Sequence, residues 1–354
     1  MKKIIIGNNL LGTLDNLFDF GQFSKIAVLT DENIQISLIG QISQIKKSLN
    51  RELVIITIPA GEKFGKNIET VKKIWKKMFE SDLDRQSLLI NLGGGVICDM
   101  GGFAASTFMR GIEFINIPTT LLAQVDASIG GKTGIDFNGI KNAIGVFKNP
   151  IGVVIDVQTL KTLPKREFVS AFGEIIKHGV ISGRGHFDLV TSKKPEEFDQ
   201  KEIIKIIKQS IIIKSNIVKK DPKETTGLRK VLNLGHTIGH AVESLSWETN
   251  KPLLHGEAIA IGMIAESHLA CFSRPIHNLR GCVAELTKGV VKNAGLPTKI
   301  RNIKKEDILK IILSDKKNLS GKINWSLPQR IGKVLINVEV PDDLVVKAIK
   351  SIII

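Results

Sequence analysis

The sequence predicts two domains, an N-terminal α/β domain built on a mostly parallel sheet and a mostly α-helical domain that follows it. Three observations support this prediction. The chain has 354 residues, more than a single hydrophobic core usually serves. In the first half, apolar runs of strand length alternate with helix-like segments, whereas the second half has helical periodicity almost throughout. The pattern changes after Asp156, so the predicted domains are 1–157 and 158–354.

The α/β prediction depends on five apolar runs that are rich in branched residues. Two helix-like segments separate the first three runs, one ending near Lys47 and one spanning Asn67–Phe79, as in βαβ units of a parallel sheet. Ligands of such sheets bind at the carboxyl ends of the strands. The predicted strands are Lys25–Asp31, Leu53–Pro59, Ser87–Leu92, Glu113–Ile117 and Ile151–Asp156.

The helical prediction depends on apolar residues that recur every three to four positions in the second half. A short strand near Val334–Val338 and a closing helix from Pro341 complete this domain. The predicted helices are Glu167–Val180, Lys201–Lys220, Leu228–Leu245, Glu257–Phe272, Val283–Asn293 and Glu306–Ser314.

Composition favours an anionic ligand. The formal net charge is +15 at pH 7, but the lysines are scattered and tyrosine is absent, so nucleic-acid binding has little support. No apolar run is long enough for a signal peptide or a membrane span. Cys98, Cys271 and Cys282 are too few for a disulfide framework, so we expect reduced thiols and a cytoplasmic protein.

A glycine-rich turn, Gly93–Gly95, follows the third predicted strand. Its backbone N–H groups can approach a phosphate closely, which favours a nucleotide cradle over the alternative of a plain tight turn. The later Gly-Gly-Lys-Thr segment is not a Walker loop, because Asp126 stands where the upstream glycine is needed. Asp31 ends its strand where an acid binds a ribose hydroxyl, or it caps the next helix. The polar stretch Thr119–Asn142 is predicted to be a functional loop.

Three histidines lie near one another in the sequence and are candidate metal ligands. His236 and His240 are four residues apart in a helical pattern, so both rings can lie on one helix face. His255 opens the next apolar run. Imidazole is a common zinc ligand, although two of the three histidines could instead be capping or surface residues.

Other polar residues extend this candidate site. Glu174 stands among apolar residues with Lys177 one turn later, a pattern that also fits a surface ion pair. Arg229 and Asn233 share the predicted helix face of His236, so a cation, an amide and an imidazole would line one groove.

Six segments together resemble the 3-dehydroquinate synthase family, and the resemblance runs from about Thr30 to Ile331. It implies a Rossmann-like NAD domain followed by a mostly helical metal-binding domain. It also implies conversion of 3-deoxy-D-arabino-heptulosonate 7-phosphate to 3-dehydroquinate and phosphate, in a homodimer that uses NAD+ and Zn²⁺ or Co²⁺. The segments are GGGVICDMGGFAAS, RGIEFINIPTTLLAQVDASIGGKTGID, GIKNAIGVF, GEIIKHG, GLRKVLNLGHTIGHAVE and LLHGEAIAIGM.

The resemblance assigns roles to individual residues. The implied metal ligands are Glu174, His236 and His255, so His240 becomes a substrate contact and not the ligand that its spacing suggests. The other implied substrate contacts are Arg110, Asp126, Lys132, Asn142, Lys177, Lys214, Arg229, Asn233 and either Lys316 or Lys317. The implied NAD contacts are Asp31, Asn33, Glu62, Lys66, Gly94, Gly95, Val96, Asp99, Thr119, Thr120, Lys132 and Lys141.

Two departures and three alternatives stay open at this point. One extra residue in GEKFGKN affects the position of Lys66, and another in DPKETTGLR affects that of Lys214 relative to Arg229. A sister sugar-phosphate cyclase would share the NAD and metal residues, and a polyol dehydrogenase would need no phosphate pocket. A basic nucleic-acid-binding protein would explain the charge but not the ordered histidines and glycine turns.

Overall fold

The computed structural model describes residues 3–61, 65–138, 140–273, 282–318 and 323–354, without the side chains of 314–318. The chain divides into two compact units, Met1–Pro164 and Lys165–Ile354.

The first unit is built on a parallel sheet of six strands. In their order across the sheet, the strands are β1 (Ile4–Gly7), β8 (Gly152–Asp156), β5 (Glu113–Pro118), β4 (Leu88–Gly93), β2 (Ile26–Asp31) and β3 (Val54–Ile58). Every adjacent pair is parallel. The predicted parallel sheet and its five predicted strands are therefore confirmed, while the short edge strand β1 was missed. Two further strands of this unit lie outside the sheet, β6 (Lys132–Phe137) and β7 (Ile140–Phe147).

Helical segments cover both faces of this sheet. On β2, Leu29 packs in a cluster with Ile74 and Phe103, while its neighbour Val28 packs in another with Ile45. Successive strand residues point to opposite faces, so a strand buried on both sides is apolar throughout. The helices are α1 (Glu32–Ser37), α2 (Ile39–Leu49), α3 (Ile68–Glu80) and α4 (Gly95–Thr107), with short helical turns at Leu11–Asn16, Phe108–Arg110, Ala123–Ala127 and Val157–Thr162.

The stretch Thr119–Asn142, predicted to be a loop, contains regular structure. It holds the turn Ala123–Ala127, and β6 then pairs with β7 in an antiparallel ribbon. Glycines at 134 and 145 face each other in this ribbon, where they interrupt the apolar alternation that would have indicated strands. Lys132 and Thr133 lie in a strand rather than at the start of a helix, which agrees with the rejection of a Walker loop.

The second unit is mostly helical, as predicted. Besides its helices, the described part of this unit contains two short strands that pair antiparallel. Only the second of these strands was predicted. The elements are α5 (Lys165–Ser170), α6 (Phe172–Ser182), α7 (Arg184–Thr191), α8 (Gln200–Lys220), α9 (His236–Ser246), α10 (His255–Phe272), α11 (Val283–Asn293), α12 (Lys305–Asn318), β9 (Trp325–Arg330), β10 (Lys333–Val338) and α13 (Asp342–Ile352).

The predicted helix Leu228–Leu245 is wrong as a single element. A short 3₁₀ helix, Leu228–Asn233, ends before Gly235, which has φ 82°. A left-handed residue cannot continue a right-handed helix, so α9 begins afresh at His236. Arg229 and Asn233 therefore do not share the helix face of His236, whereas His236 and His240 do lie together on α9.

The expectation of three reduced cysteines is also wrong for this structure. Cys271, near the end of α10, forms a disulfide with Cys282, which precedes α11, and Cys98 is a buried free thiol. None of the helices in the described part of the chain is both long enough and apolar enough to cross a bilayer.

Candidate active site

The helices that carry the predicted metal ligands approach one another closely because glycines form their contacts. A Cβ at Gly256 of α10 would overlap the Ser170 carbonyl, and one at Gly173 of α6 would overlap the Gly256 carbonyl. A Cβ at Gly262 would overlap the Gly235 carbonyl before α9 and would lie 2.6 Å from the Gly239 nitrogen. Three of these glycines adjoin the predicted ligands, in the pairs Gly173–Glu174, Gly235–His236 and His255–Gly256.

The three predicted metal ligands converge. The Glu174 Oε1 atom lies 3.4 Å from His236 Nε2 and 3.5 Å from His255 Nε2. One ligand atom from each residue lies within 4.8 Å of the others. A carboxylate with two imidazoles is a known zinc ligand set that leaves a coordination position for substrate. The residues present therefore fit the metal that the resemblance implies.

Glu174 is fully buried and forms an ion pair with Lys177, which is also buried. The alternative of a surface ion pair is therefore wrong. The Lys177 ammonium also donates to the Leu232 carbonyl oxygen at 2.9 Å. Burial and the positive charge of Lys177 hold the pKa of His236 well below its usual value, which keeps its ring neutral, as a metal ligand must be.

His255 has a different electrostatic environment. Burial opposes protonation of its ring, but the hydrogen bonds that its ring N–H groups donate to the Glu174 and Glu243 carboxylates outweigh that effect and raise its pKa to about 10. The metal-free site therefore holds a proton here that a metal must displace.

The other predicted substrate residues of this unit occupy varied positions. The ring of His240 is exposed, and its centroid lies 5.0 Å from that of His236. Arg229 is buried, and its backbone N–H donates to Asp221 at 3.2 Å while its guanidinium lies 3.2 Å from a Glu224 oxygen. Asn233 is exposed, and Lys214 is buried on α8. The side chains of Lys316 and Lys317 lie outside the described residues.

Two buried acids beside the ligands were missed by the sequence reasoning. Glu243 Oε2 lies 3.2 Å from His255 Nδ1. Glu266 of α10 accepts hydrogen bonds from the backbone N–H groups of Gly235, at 2.5 Å, and Ile238, at 3.2 Å. Glu243 follows His236 by seven residues and His240 by three, so helical spacing could have identified it. Glu266 gave no such signal, because it caps the start of α9 from a separate helix.

Glu266 should make the stability of the metal-free protein depend on pH. Burial raises its pKa to about 8, although three backbone amides oppose the shift. Between the pKa of the unfolded chain, near 4.5, and that of the folded chain, the folded protein holds a proton that the unfolded chain releases. The free energy of unfolding therefore falls as pH rises through this window. Glu266→Gln cannot ionise at this position. Its free energy of unfolding, relative to that of wild type, should therefore increase by a few kcal/mol from pH 5 to pH 8.

Urea unfolding in the presence of a chelator, repeated across this pH range, measures that difference. Glu285→Gln replaces an exposed acid on α11, and its free energy of unfolding should change with pH in the same way as that of wild type. A Glu266→Gln curve that also runs parallel would show that Glu266 is ionised in the folded state at neutral pH.

In the first unit, the predicted glycine turn joins β4 to α4. Gly93 ends the strand, Gly94 precedes the helix and Gly95 begins it. A Cβ at Gly94 would lie 3.2 Å from the Thr120 side chain and one at Gly95 would lie 3.1 Å from Ala127. The first turn of α4 is therefore a tightly packed helix N-terminus, which fits a pyrophosphate group.

Lys66, Asp99 and Asn142 lie together although they are distant in sequence. The buried Lys66 ammonium is 2.7 Å from Asp99 Oδ2 and 2.5 Å from Asn142 Oδ1. Asp99 lies one turn into α4, so Lys66 is held beside the glycine turn. This contact supports the predicted role of Lys66 despite the extra residue before it.

The remaining predicted NAD and substrate residues of this unit are distributed over several elements. Asp31 caps α1 by accepting from the Ile34 N–H at 2.9 Å, so the capping alternative is observed and the ribose contact stays a prediction. Thr119 is buried, and Thr120 Oγ1 accepts from the Ala123 N–H at 3.1 Å. Glu62 lies outside the described residues. Half-buried positions are Val96, Asp126 and Lys141, and exposed ones are Asn33, Arg110 and Lys132.

The chain is similar to proteins of known family along nearly its whole length. Residues 55–170 match the family model described as 3-dehydroquinate synthase N-terminal, and residues 171–318 match the one described as C-terminal. A 3-dehydroquinate synthase of Parabacteroides distasonis is 38% identical over 98% of this chain and 97% of its own.

Two solved structures have the same fold at lower identity. One is a 2-deoxy-scyllo-inosose synthase complexed with carbaglucose-6-phosphate, NAD+ and Co²⁺, with a TM-score of 0.87 and 21% identity over 98% of this chain and 96% of that one. The other is a 2-epi-5-epi-valiolone synthase from Streptomyces hygroscopicus subsp. jinggangensis 5008 with NAD+ and Zn²⁺, with a TM-score of 0.87 and 24% identity over 99% of this chain and 96% of that one. The two family models and the full-length relative establish that this chain belongs to the 3-dehydroquinate synthase family.

Proposed function

We propose that this protein converts 3-deoxy-D-arabino-heptulosonate 7-phosphate to 3-dehydroquinate and inorganic phosphate, as a carbon–oxygen lyase of the shikimate pathway. The observation that carries the proposal is the convergence of Glu174, His236 and His255 in a chain 38% identical, over nearly its whole length, to a curated 3-dehydroquinate synthase. The reaction would oxidise a ring hydroxyl to a ketone, eliminate phosphate and then reduce that ketone again. The ring would then open, and an intramolecular aldol step would close the carbocycle.

The proposed cofactors are NAD+ and a divalent metal ion, Zn²⁺ or Co²⁺. Glu174, His236 and His255 would hold the metal, and the glycine turn Gly93–Gly95 with Lys66 would hold the NAD+ phosphates. When bound, NAD+ would supply a reversible hydride acceptor and the metal would acidify a hydroxyl and polarise a carbonyl. Two structural neighbours, crystallised with NAD+ and Co²⁺ or Zn²⁺, support these assignments.

The chain's own residues would bind and orient an anionic substrate. The Arg229 guanidinium donates to the Pro222 carbonyl oxygen at 3.2 Å and lies 3.2 Å from a Glu224 oxygen, and a guanidinium held in this way suits a carboxylate or a phosphate group. The Lys177 ammonium, held between Glu174 and the Leu232 carbonyl, places a point charge beside the metal ligands. His240 is exposed next to His236, where its ring can contact a substrate oxygen.

The remaining predicted substrate residues keep the roles that the family implies. They are Lys214, Asn233 and either Lys316 or Lys317 in the second unit, and Arg110, Asp126, Lys132 and Asn142 in the first. A sugar phosphate with a carboxylate needs several cations, which agrees with the net charge of +15.

We also propose a cytoplasmic homodimer that binds neither nucleic acid nor membrane. The β6–β7 ribbon leaves several large apolar side chains exposed, and such patches are common at interfaces between subunits. These side chains are Phe137, Ile140, Ile144, Val146 and Phe147.

Phosphate release from the heptulosonate phosphate tests the proposed reaction. We expect release that requires both NAD+ and zinc, with no net accumulation of NADH because the oxidation is reversed within each turnover. No release from this substrate, but release from another sugar phosphate, would assign the protein to a sister cyclase. NADH accumulation without phosphate release would favour a polyol dehydrogenase. Folded, zinc-bound protein that is inactive on every phosphate substrate would contradict the proposal.

A further inference from the structure

Glu243 lies on α9, two turns after His236 and one turn after His240. Residues separated by seven and three positions lie on one helix face, so Glu243 is directed towards the same region as the two histidines. Its side chain is 2% exposed. The Oε2 atom lies 3.2 Å from His255 Nδ1, while His255 Nε2 lies 3.5 Å from Glu174 Oε1. The two ring nitrogens of His255 therefore contact two different carboxylates.

A histidine can bind a metal only through a nitrogen that carries a lone pair, and its other nitrogen then carries a proton. A carboxylate that accepts from Nδ1–H selects the tautomer in which Nε2 is free to bind, and it also makes that nitrogen more basic. In the described part of this chain, the partner of His255 Nδ1 is Glu243.

We propose that Glu243 is a positioning residue, which fixes the ring and the tautomer of His255 so that its Nε2 atom points at the metal position. This inference depends on the proposed metal site of Glu174, His236 and His255.

The contacts of His236 support this inference independently. Its Nδ1 atom lies 3.2 Å from the Leu234 carbonyl oxygen, and its Nε2 atom lies 3.4 Å from Glu174 Oε1. Both histidines thus present Nε2 to Glu174 and use Nδ1 for an oxygen acceptor. For His236 the acceptor belongs to the backbone, and for His255 it is a side chain.

A direct-ligand role for Glu243 is the main alternative, because His240, Glu243 and His255 also place one donor atom each within 4.8 Å of one another. A metal held by that group would use His255 Nδ1 and would leave His236 out. The two roles predict different effects of substitution. A hydrogen-bond acceptor can be replaced in part by an amide oxygen, whereas a ligand carboxylate cannot.

The test measures zinc affinity by competition with a chromophoric chelator, on full-length protein stripped of metal. We expect Glu243→Ala to weaken zinc binding by about 10- to 100-fold. Glu243→Gln keeps an oxygen acceptor without its charge, so it should lose clearly less zinc affinity than Glu243→Ala, by no more than about tenfold, and its Co²⁺ absorption spectrum should match wild type. His240→Ala should change zinc affinity by less than about threefold, since in this arrangement His240 is not a ligand.

Glu266→Gln is the matched control, because it makes the same chemical change at another buried acid of this unit. Glu266 accepts hydrogen bonds from backbone amides. It should leave zinc affinity close to wild type, and circular dichroism confirms the fold of each variant. If Glu243→Ala does not fold, the Glu243→Gln affinity and Co²⁺ spectrum decide the question.

Three results would overturn the inference: Glu243→Ala binding zinc as tightly as wild type, Glu243→Gln losing as much affinity as Glu243→Ala, or Glu266→Gln losing as much as either. Wild-type protein that binds no zinc would overturn the metal site as well. Wild-type zinc binding without phosphate release would overturn the proposed reaction and leave this inference standing.

Discussion

His236→Ala is expected to lower phosphate release by about a thousandfold or more. A metal ion that polarises a reacting oxygen contributes several kcal/mol to transition-state stabilisation, and each 1.4 kcal/mol is about tenfold in rate. His236 suits this test better than Glu174, because its removal does not strand the buried Lys177 ammonium without its ion pair. Phosphate release and zinc content, measured on the same preparation, should fall together.

His268→Ala is the matched control for this prediction. His268 lies on α10, is partly buried and stacks on Phe272 at a centroid distance of 5.9 Å. The substitution should keep activity within about twofold and bind zinc normally, since surface and partly exposed changes away from a site have small effects. Full activity in a zinc-free His236→Ala protein would show that the reaction does not need this centre.

Gly256→Ala is expected to destabilise the protein by about 3 kcal/mol or more. The added Cβ would overlap the Ser170 carbonyl, and backbone atoms of packed helices cannot move aside as a flexible side chain can. Since His255 is the adjacent residue, the shift should also weaken zinc binding. Chemical denaturation of the metal-free protein and zinc titration measure the two effects separately.

Gly289→Ala on α11 is the control, because a Cβ there meets nothing within 4 Å. This variant should be more stable than wild type by up to about 1 kcal/mol, as alanine is the better helix former. Equal stability of the two variants would mean that α10 does not need a glycine at position 256.

The elements that the sequence predicted well are those in which one physical signal acts alone. The sheet strands were found because burial on both faces leaves continuous apolar runs. The helix of His236 and His240 was found because the spacing of residues on a helix face is fixed by its geometry. The convergence with Glu174 came from family resemblance, since spacing says nothing about residues on separate helices.

The predictions that failed are those in which the same pattern fits two structures. The positive φ of Gly235 separates two helices. Apolar periodicity continues across this residue, so the sequence pattern does not show the break. An acid and a lysine three apart fit a surface or a buried pair equally well, and only the packing around Glu174 decides between them. Glu266 could not be found at all, because its role depends on a contact with Gly235, which lies 31 residues earlier at the start of a separate helix.

The glycine contacts between α6, α9 and α10 have a consequence for how the protein acquires its metal. Backbone packing, not an ion, sets the separation of the proposed ligands Glu174, His236 and His255, so their geometry is preorganised in the metal-free chain. Small zinc domains fold only when the ion binds, and chelators unfold them. This unit should instead remain folded when its ion is removed. A chain that loses its metal when metal is scarce can then bind metal again later, and no new protein has to be made.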